Sequence, residues 1–421
     1  MDDRYLAFKI LSKIEHDKAY SNIVVDTVLS NNDAVSAPFV CNLVYGVIER
    51  KITLDYILSK FLSQPIKKLN PQVLTILRMG TYQLKFMDKV PDSAAVNESV
   101  KLVKKAKCGF ASGLVNSVLR KISQANIEYP KTEDIKYNFS IKYSCPESLV
   151  EHFINDYGIE KTEDILKASI GDVPLFIRAN TLKISAKELV DKLSSEGVTA
   201  KALDNNLTLE IIDGNSVFKT QAYQKGYFHA QDLASQECIS ALAPNKNDIV
   251  FDMCAAPGGK SFTMAEMMEN QGKIYSFDLY DHKIKLINDG ANRLGINIIN
   301  AQNGDASVYN EKLPKADKIL CDVPCAGLGV IRRKPEIKYK DFQFVDKLCE
   351  LQYNILDNAA LYLKDKGVIM YSTCSLSNKE NAEVCKRFLE EHKDFKDGGM
   401  VTLFPSENCS DGFFYAKLIR E

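Results

Sequence analysis

The sequence predicts a multidomain chain, with an all-α domain over residues 1–130, a small α+β module over 143–230 and an α/β Rossmann-like domain over 231–421. Three observations carry this. Apolar residues recur at helical spacing only as far as about Ile127; strand-like and helix-like stretches then mix; and from about residue 231 five apolar β runs alternate with helical segments. The 421 residues have the length for two to four domains of about 100 to 200 residues each. With 45% hydrophobic and 26% charged residues, the composition is that of a globular protein.

In the first domain "FVCNLVYGVIERKITLDYILSKFL", "PQVLTILRMGTYQLKFM" and "AAVNESVKLVKKA" keep the helical period. Pro71 stands where a first helical turn tolerates it, with Asn70 as the cap, and "PDSAAVNE" offers another start. Lys101, Lys104, Lys105, Lys107, Arg120 and Lys121 fall close together and form a candidate phosphate-contacting surface. Residues 1–130 hold 18 Lys plus Arg against 12 Asp plus Glu, although the whole chain has a net charge of −1. A polyanion met by the front of the molecule explains the asymmetry, and so does clustering on solvated helix faces.

In the middle module "PLFIRANTL" reads as a strand, "SAKELVDKLSSEG" as an amphipathic helix with a Ser start and a Gly stop, and "NLTLEII" as a second strand. Arg178 and Asn180 sit at a strand end, where they contact RNA or close a turn, with the turn favoured.

The last 190 or so residues contain "DIVFDMC", "GKIYSFDL", "INIINAQ", "ADKILCDV" and "GVIMYSTC" as β runs, which argue for a mainly parallel sheet with helices on both faces. "MVTLFPSE" and "DGFFYAKLIR" suit a hairpin at the sheet edge. Such sheets bind ligands at the carboxyl ends of their strands. The turn "DMCAAPGGKSF" follows the first of these strands, and Gly258 and Gly259 let the backbone approach a ligand beside a helix N-terminus. It matches neither the dinucleotide nor the triphosphate glycine pattern, which disfavours a dehydrogenase. Asp278 ends the second strand, where a carboxylate takes both ribose hydroxyls of a nucleoside, and Asp305 follows the third, within reach of the base of such a cofactor.

The 11 cysteines are scattered and free of paired spacing, so reduced thiols are expected. Zinc needs four ligands in close pairs; Cys321 and Cys325 are the only such pair and no histidine lies near them, so no metal is expected. Cys321 belongs to an apolar strand and fills the core. Cys374 ends a strand directly before "SNKE", a capping-box pattern with Ser377 as cap and Glu380 at the third helical position. That places the thiol at the positive end of a helix dipole, which favours thiolate. Cys325 follows the preceding strand and faces the same crevice. A thiolate beside a methyl donor suits methylation of cytosine carbon 5, because addition to carbon 6 activates that carbon.

"DSAAVNESVKLVKKAKCGFASGLVNSVLRKI" resembles the last two helices of the NusB-type antitermination domain, which implies RNA binding. "FHAQDLASQ", "DMCAAPGGK", "CDVPCAGLGVIRRKPEIK" and "YSTCSLSNKENAEV" resemble the motif set of the Sun-type RNA 5-methylcytosine methyltransferases. The resemblance implies that Cys374 is the nucleophile and that Cys325 helps release the product. It also implies that Cys254, Ala255, Ala256, Pro257, Gly258, Gly259, Lys260, Asp278, Asp305 and Asp322 hold S-adenosylmethionine, with Lys260 and Asp322 also close to the base. Val323 departs from the family, which has a small residue there. The helical front points to the branch acting on 16S ribosomal RNA, free or in an early subunit precursor, with Lys101, Lys104, Lys105, Arg120, Arg178, Asn180, Arg332 and Arg333 as RNA contacts. The motifs fit the same chemistry on transfer RNA equally well, and the front domain alone fits a noncatalytic RNA-binding factor. No membrane span or signal peptide is visible, so a monomeric cytoplasmic enzyme is expected.

Overall fold

Two compact units make up the fold, described here from a computed structural model over residues 2–17, 21–29, 36–213, 217–340, 345–406 and 410–421. Glu407, the last residue of "MVTLFPSE", lies outside these. The first unit comprises Met1–Ile170 together with Ile331–Lys340, so the helices Ile135–Tyr143 and Glu147–Ala168 extend the all-α part. The second comprises Gly171–Val330 and Asp341–Glu421.

The first unit is built on helix Pro71–Phe86, which Asn70 caps by accepting from the Gln72 and Val73 amides. Leu77, Met79 and Ile76 are fully buried on it, and Gly80 lets the Leu119 side chain approach where a Cβ would lie 2.5 Å away. Arg78 donates to both oxygens of Asp55 at 2.7 and 2.8 Å and to Glu15 at 2.6 Å. Residues Ile331–Lys340 leave the α/β part of the sequence and belong to this unit. The buried Lys338 ammonium donates to the Glu49 carbonyl at 2.7 Å, at the carboxyl end of helix Ala37–Glu49, where a cation is favoured. Burial lowers its pKa to about 8. The Tyr339 hydroxyl donates to the Ile48 carbonyl at 2.9 Å.

The second unit contains two sheets. The smaller is antiparallel, formed by β1 (Leu175–Ala179), β2 (Thr199–Ala202), β3 (Thr208–Asp213) and β4 (Phe228–Ala230) in the order β2-β3-β1-β4. Ser185 and Glu188 form the capping box of helix Ala186–Ser195, as the Ser start predicted. The larger sheet has β5 (Ile249–Asp252), β6 (Lys273–Asp278), β7 (Ile299–Asn303), β8 (Ala316–Asp322), β9 (Leu363–Thr373), β10 (Phe395–Leu403) and β11 (Phe413–Arg420). Their order is β10-β11-β9-β8-β5-β6-β7. Strands β5 to β9 run parallel, and the β10/β11 hairpin closes the edge antiparallel to β9. The winding reverses between β5 and β8, which opens a crevice at their carboxyl ends. Among the described residues no helix is long and apolar enough to cross a membrane.

Arg178 and Asn180 are corrected as RNA contacts, because both are consumed inside this unit. Arg178, 3% exposed, donates to Glu266 at 2.8 Å and to Gln236 at 3.1 Å, tying the small sheet to helix Gly259–Met267. Asn180 is fully buried; its amide donates to the Gly226 and Leu294 carbonyls at 2.8 Å each, and its carbonyl accepts from the Leu182 amide, which closes the turn. Removing the guanidinium in Arg178→Ala would strand the buried Glu266 carboxylate. The expected loss is about 3–5 kcal/mol of unfolding free energy, measurable by urea titration. A change below about 1 kcal/mol, the scale of a surface pair, would contradict this role.

Candidate active site

Five strand ends bring the candidate residues to one edge of the larger sheet. The order β9-β8-β5-β6-β7 puts the thiol-bearing strands on one side of the reversal point and the acidic strand ends Asp278 and Asp305 on the other.

The loop after β5 carries Cys254, Ala255, Ala256, Pro257 and Gly258, and Gly259 and Lys260 open the helix after it. Gly258 has φ 107°, a region that side-chain-bearing residues rarely adopt, and a Cβ there would lie 2.5 Å from the Phe262 ring. Helix Gly259–Met267 follows. Its Lys260 ammonium donates to Asp322 Oδ2 at 2.6 Å, and Asp322 Oδ1 accepts from the Ser372 hydroxyl at 2.9 Å. Burial opposes the Lys260 charge, but Asp322 outweighs it and holds the ammonium pKa above its usual value. Beneath the loop the buried Asp252 accepts from the Ser261 hydroxyl at 2.6 Å, and burial raises its pKa to about 7.

Asp278, 7% exposed at the end of β6, accepts from the Tyr280 amide at 3.3 Å and faces Lys283 at 3.4 Å. Asp305 is exposed, folded back on the Ser307 hydroxyl and amide at 2.7 and 2.9 Å. Those two hydrogen bonds depress its pKa. It borders a cavity of about 260 Å³ lined also by Met253, Phe277, Gly304, Leu313 and Tyr362.

Cys325 and Cys374, 49 positions apart in sequence, have their sulfurs 3.1 Å apart. Both are free thiols and both are half-buried. The hydrogen bond with Cys374, and after it burial, holds the Cys325 pKa well above the ordinary thiol value. The capping box expected after Cys374 does not form. Residues 375–381 make a non-helical loop and the helix begins only at Ala382. Glu380, fully buried, instead accepts from the Ala326 amide at 2.7 Å, the Gln352 amide at 3.0 Å and the Ser375 hydroxyl at 2.5 Å. The Cys374 sulfur thus meets another thiol, and the expected helix start is absent from its immediate loop.

Cys321 is fully buried in the core beneath the sheet edge, and Val323 is 4% exposed, so its side chain is packed away from solvent. Among the described residues no group of three or more His, Cys, Asp or Glu is arranged to hold a metal ion. Sequence reasoning missed Ser372 and Gln352 as site residues. Nothing local marks either: Ser372 lies between Tyr371 and Thr373 in β9, and Gln352 lies inside helix Val345–Ala360.

The basic residues expected on the first unit divide. Lys101, Lys104, Lys105 and Arg120 are exposed. Lys101 pairs with Glu98, and Lys105 approaches Asp2 while lying over the Tyr5 ring. Between their helices Phe110 is 80% exposed, an aromatic the sequence did not single out. Arg332 is corrected, since it is 6% exposed and turned away from solvent, while Arg333 is half-buried.

Comparison with known proteins places these features in a family. Residues 239–419 match the family model of 16S rRNA methyltransferase RsmB/F, residues 1–124 the NusB family, and residues 145–210 the ferredoxin-like domain of RsmF/B-like methyltransferases. The chain is 35% identical to a probable ribosomal RNA small subunit methyltransferase B of Bacillus subtilis, across 99% of this chain and 98% of that one. It is 33% identical to a protein of the same description from Synechocystis, with the same coverage. The solved structure of PH0851 is 25% identical and superposes with a TM-score of 0.82 over 99% of each chain.

Proposed function

The chain belongs to the RsmB/F family of ribosomal RNA methyltransferases, and from that premise we propose that it methylates carbon 5 of a cytosine in 16S ribosomal RNA, with S-adenosylmethionine as donor, through a bond between Cys374 and carbon 6 of the ring. The observation that carries this reading is the 3.1 Å approach of two free thiols, one following β8 and one following β9.

The residues at the sheet edge suit that cofactor. The bare backbone at Gly258 admits close approach, Asp278 is the carboxylate for the ribose hydroxyls, and the cavity beside Asp305 offers a partly apolar recess for the adenine. Cys254 to Lys260 and Asp322 complete the cradle. When bound, S-adenosylmethionine supplies an electrophilic methyl group.

Cytosine carbon 5 is too weak a nucleophile to take that group unaided. When the Cys374 sulfur bonds to carbon 6, the ring's 5,6 double bond opens and its electron pair moves to carbon 5, which becomes an enamine carbon able to accept a methyl. Cys374 attacks as its thiolate, its proton given up to solvent, with Cys325 lying against it at 3.1 Å. Lys260 and Asp322, paired at 2.6 Å, present fixed opposite charges to the polar edge of the base. Loss of the carbon-5 proton to water returns the electron pair to the ring and expels the Cys374 sulfur as a thiolate, and the Cys325 thiol, in contact with that sulfur, donates a hydrogen bond to it that assists this release.

The exposed lysines of the first unit supply a surface for the RNA backbone, which fits the NusB match over residues 1–124. Bisulfite sequencing of cellular RNA with and without the protein tests the whole reading. One 16S cytosine is expected to lose its protection when the protein is absent. Loss of protection in transfer RNA instead would move the substrate, and unchanged protection throughout would end the reading.

A further inference from the structure

Glu380 is a buried charged group at this site that the mechanism above leaves unused. Its carboxylate is fully buried, and each of its contacts lies one step from a reacting thiol or braces such a step. One oxygen accepts from the Ala326 amide, the residue after Cys325. The other accepts from the hydroxyl of Ser375, the residue after Cys374. The first oxygen also accepts from the Gln352 amide, and that same amide nitrogen donates at 2.9 Å to the carbonyl of Pro324, the residue before Cys325. Asn381, next in sequence, continues the frame by accepting from the Thr373 hydroxyl at 2.6 Å and donating to the Ser375 carbonyl at 2.9 Å. The two loops have one further link, from the Gly329 amide to the Cys374 carbonyl at 2.9 Å.

We propose that Glu380 is the positioning residue of the thiol pair: one carboxylate spans the Cys325 and Cys374 loops and sets the separation at which both sulfurs address the same ring. The proposal rests on the covalent reading above. Its physical basis is geometric. Two loops leaving adjacent strands diverge unless something short holds them together, and two oxygens about 2.2 Å apart on one rigid group are a short tie. A misplacement of about 1 Å at a reacting atom costs on the order of 100-fold in rate. Among the described residues the Glu380 carboxylate bonds run to the Cys325 and Cys374 loops and to Gln352 rather than to the Cys254–Lys260 segment, so its loss is expected to leave the cofactor site in place.

The readout is the rate at which a covalent adduct forms on 16S transcripts carrying 5-fluorocytidine. Fluorine cannot leave as a proton does, so turnover halts as a Cys374-linked conjugate visible on a denaturing gel. Glu380→Ala is expected to slow the band by about 100-fold, the cost of a lost alignment, with S-adenosylmethionine affinity unchanged by calorimetry. Glu380→Asp, whose shorter arm cannot reach both loops, is expected to fall nearly as far. Glu380→Gln is expected to rescue most of the rate, because its carbonyl oxygen still accepts from Ala326 and Gln352 and its amide donates to Ser375. A purely structural role predicts instead that stability falls while the rate per folded molecule holds. Ser375→Ala cuts only the Cys374 arm and covers the case in which Glu380→Ala does not fold; a slowing of about tenfold is expected for one lost tie. An adduct rate within about threefold of wild type in folded Glu380→Ala, or in Ser375→Ala if Glu380→Ala fails to fold, would overturn the proposal, that being far below the cost of a lost alignment. A methylating Cys374→Ala enzyme would remove the covalent reading and the proposal with it, whereas a normal adduct rate in Glu380→Ala beside an inactive Cys374→Ala removes the proposal alone.

Discussion

Cys374→Ala is expected to abolish methyl transfer, by roughly 10⁴-fold or more, the scale on which enzymes lose turnover with their nucleophile. No covalent RNA conjugate should form, and S-adenosylmethionine should bind as before, because Cys374 stands on β9's side of the sheet edge while the Cys254–Lys260 loop follows β5. The alternative is that Cys374 only packs. A half-buried side chain of that size would then cost about 1 kcal/mol of stability, and turnover would persist. Radiolabelled methyl incorporation into 16S RNA separates the two outcomes, and retained incorporation would exclude Cys374 as the attacking group.

Cys325→Ala is expected to act later and to look different. Cys374 can still add to carbon 6, and the ring can still be methylated, but the thiol in contact with the departing sulfur at 3.1 Å is gone. The enzyme should stall as a protein-RNA conjugate, retarded on a denaturing gel and dependent on Cys374. Multiple turnover should fall by about 10² to 10⁴-fold, the range associated with loss of a proton-transferring group, while a first burst of methylation remains. A conjugate from Cys374→Ala but not from Cys325→Ala would reverse the two assignments. Near-normal turnover in both would leave the pair with a packing role only.

What could be read from the sequence depended on how far apart the determinants lie. Asn70 before Pro71 fixes a helix start because the cap, the amides it receives and the ring that tolerates the first turn all fall within four positions. The same holds for Ser185 and Glu188. The alternation of apolar runs with helical segments gave the parallel sheet, and "MVTLFPSE" and "DGFFYAKLIR" after it gave the closing hairpin, whose first strand begins earlier, at Phe395. "SNKE" carries an equally good local signal, yet Ser377 and Glu380 do not cap a helix. Glu380 finds Ala326, Gln352 and Ser375, and a fully buried carboxylate with three donors outcompetes a single cap bond. Arg178 shows the same competition, since a guanidinium at a strand end could have faced RNA and instead pairs with Glu266, 88 positions away.

By itself, then, the sequence determined the order of elements, the turn geometry at Gly258 and Gly259, and which residues end the strands, because each follows from propensities and steric limits acting over a few neighbours. The tertiary structure decided which of those strand ends meet. Parallel pairing of β8 with β9 puts Cys325 against Cys374, and pairing of β8 with β5 brings Asp322 onto Lys260. It also decided the raised pKa of the Cys325 thiol, which depends on its contact with Cys374 and its burial, and so on atoms that the chain brings together only when the sheet closes.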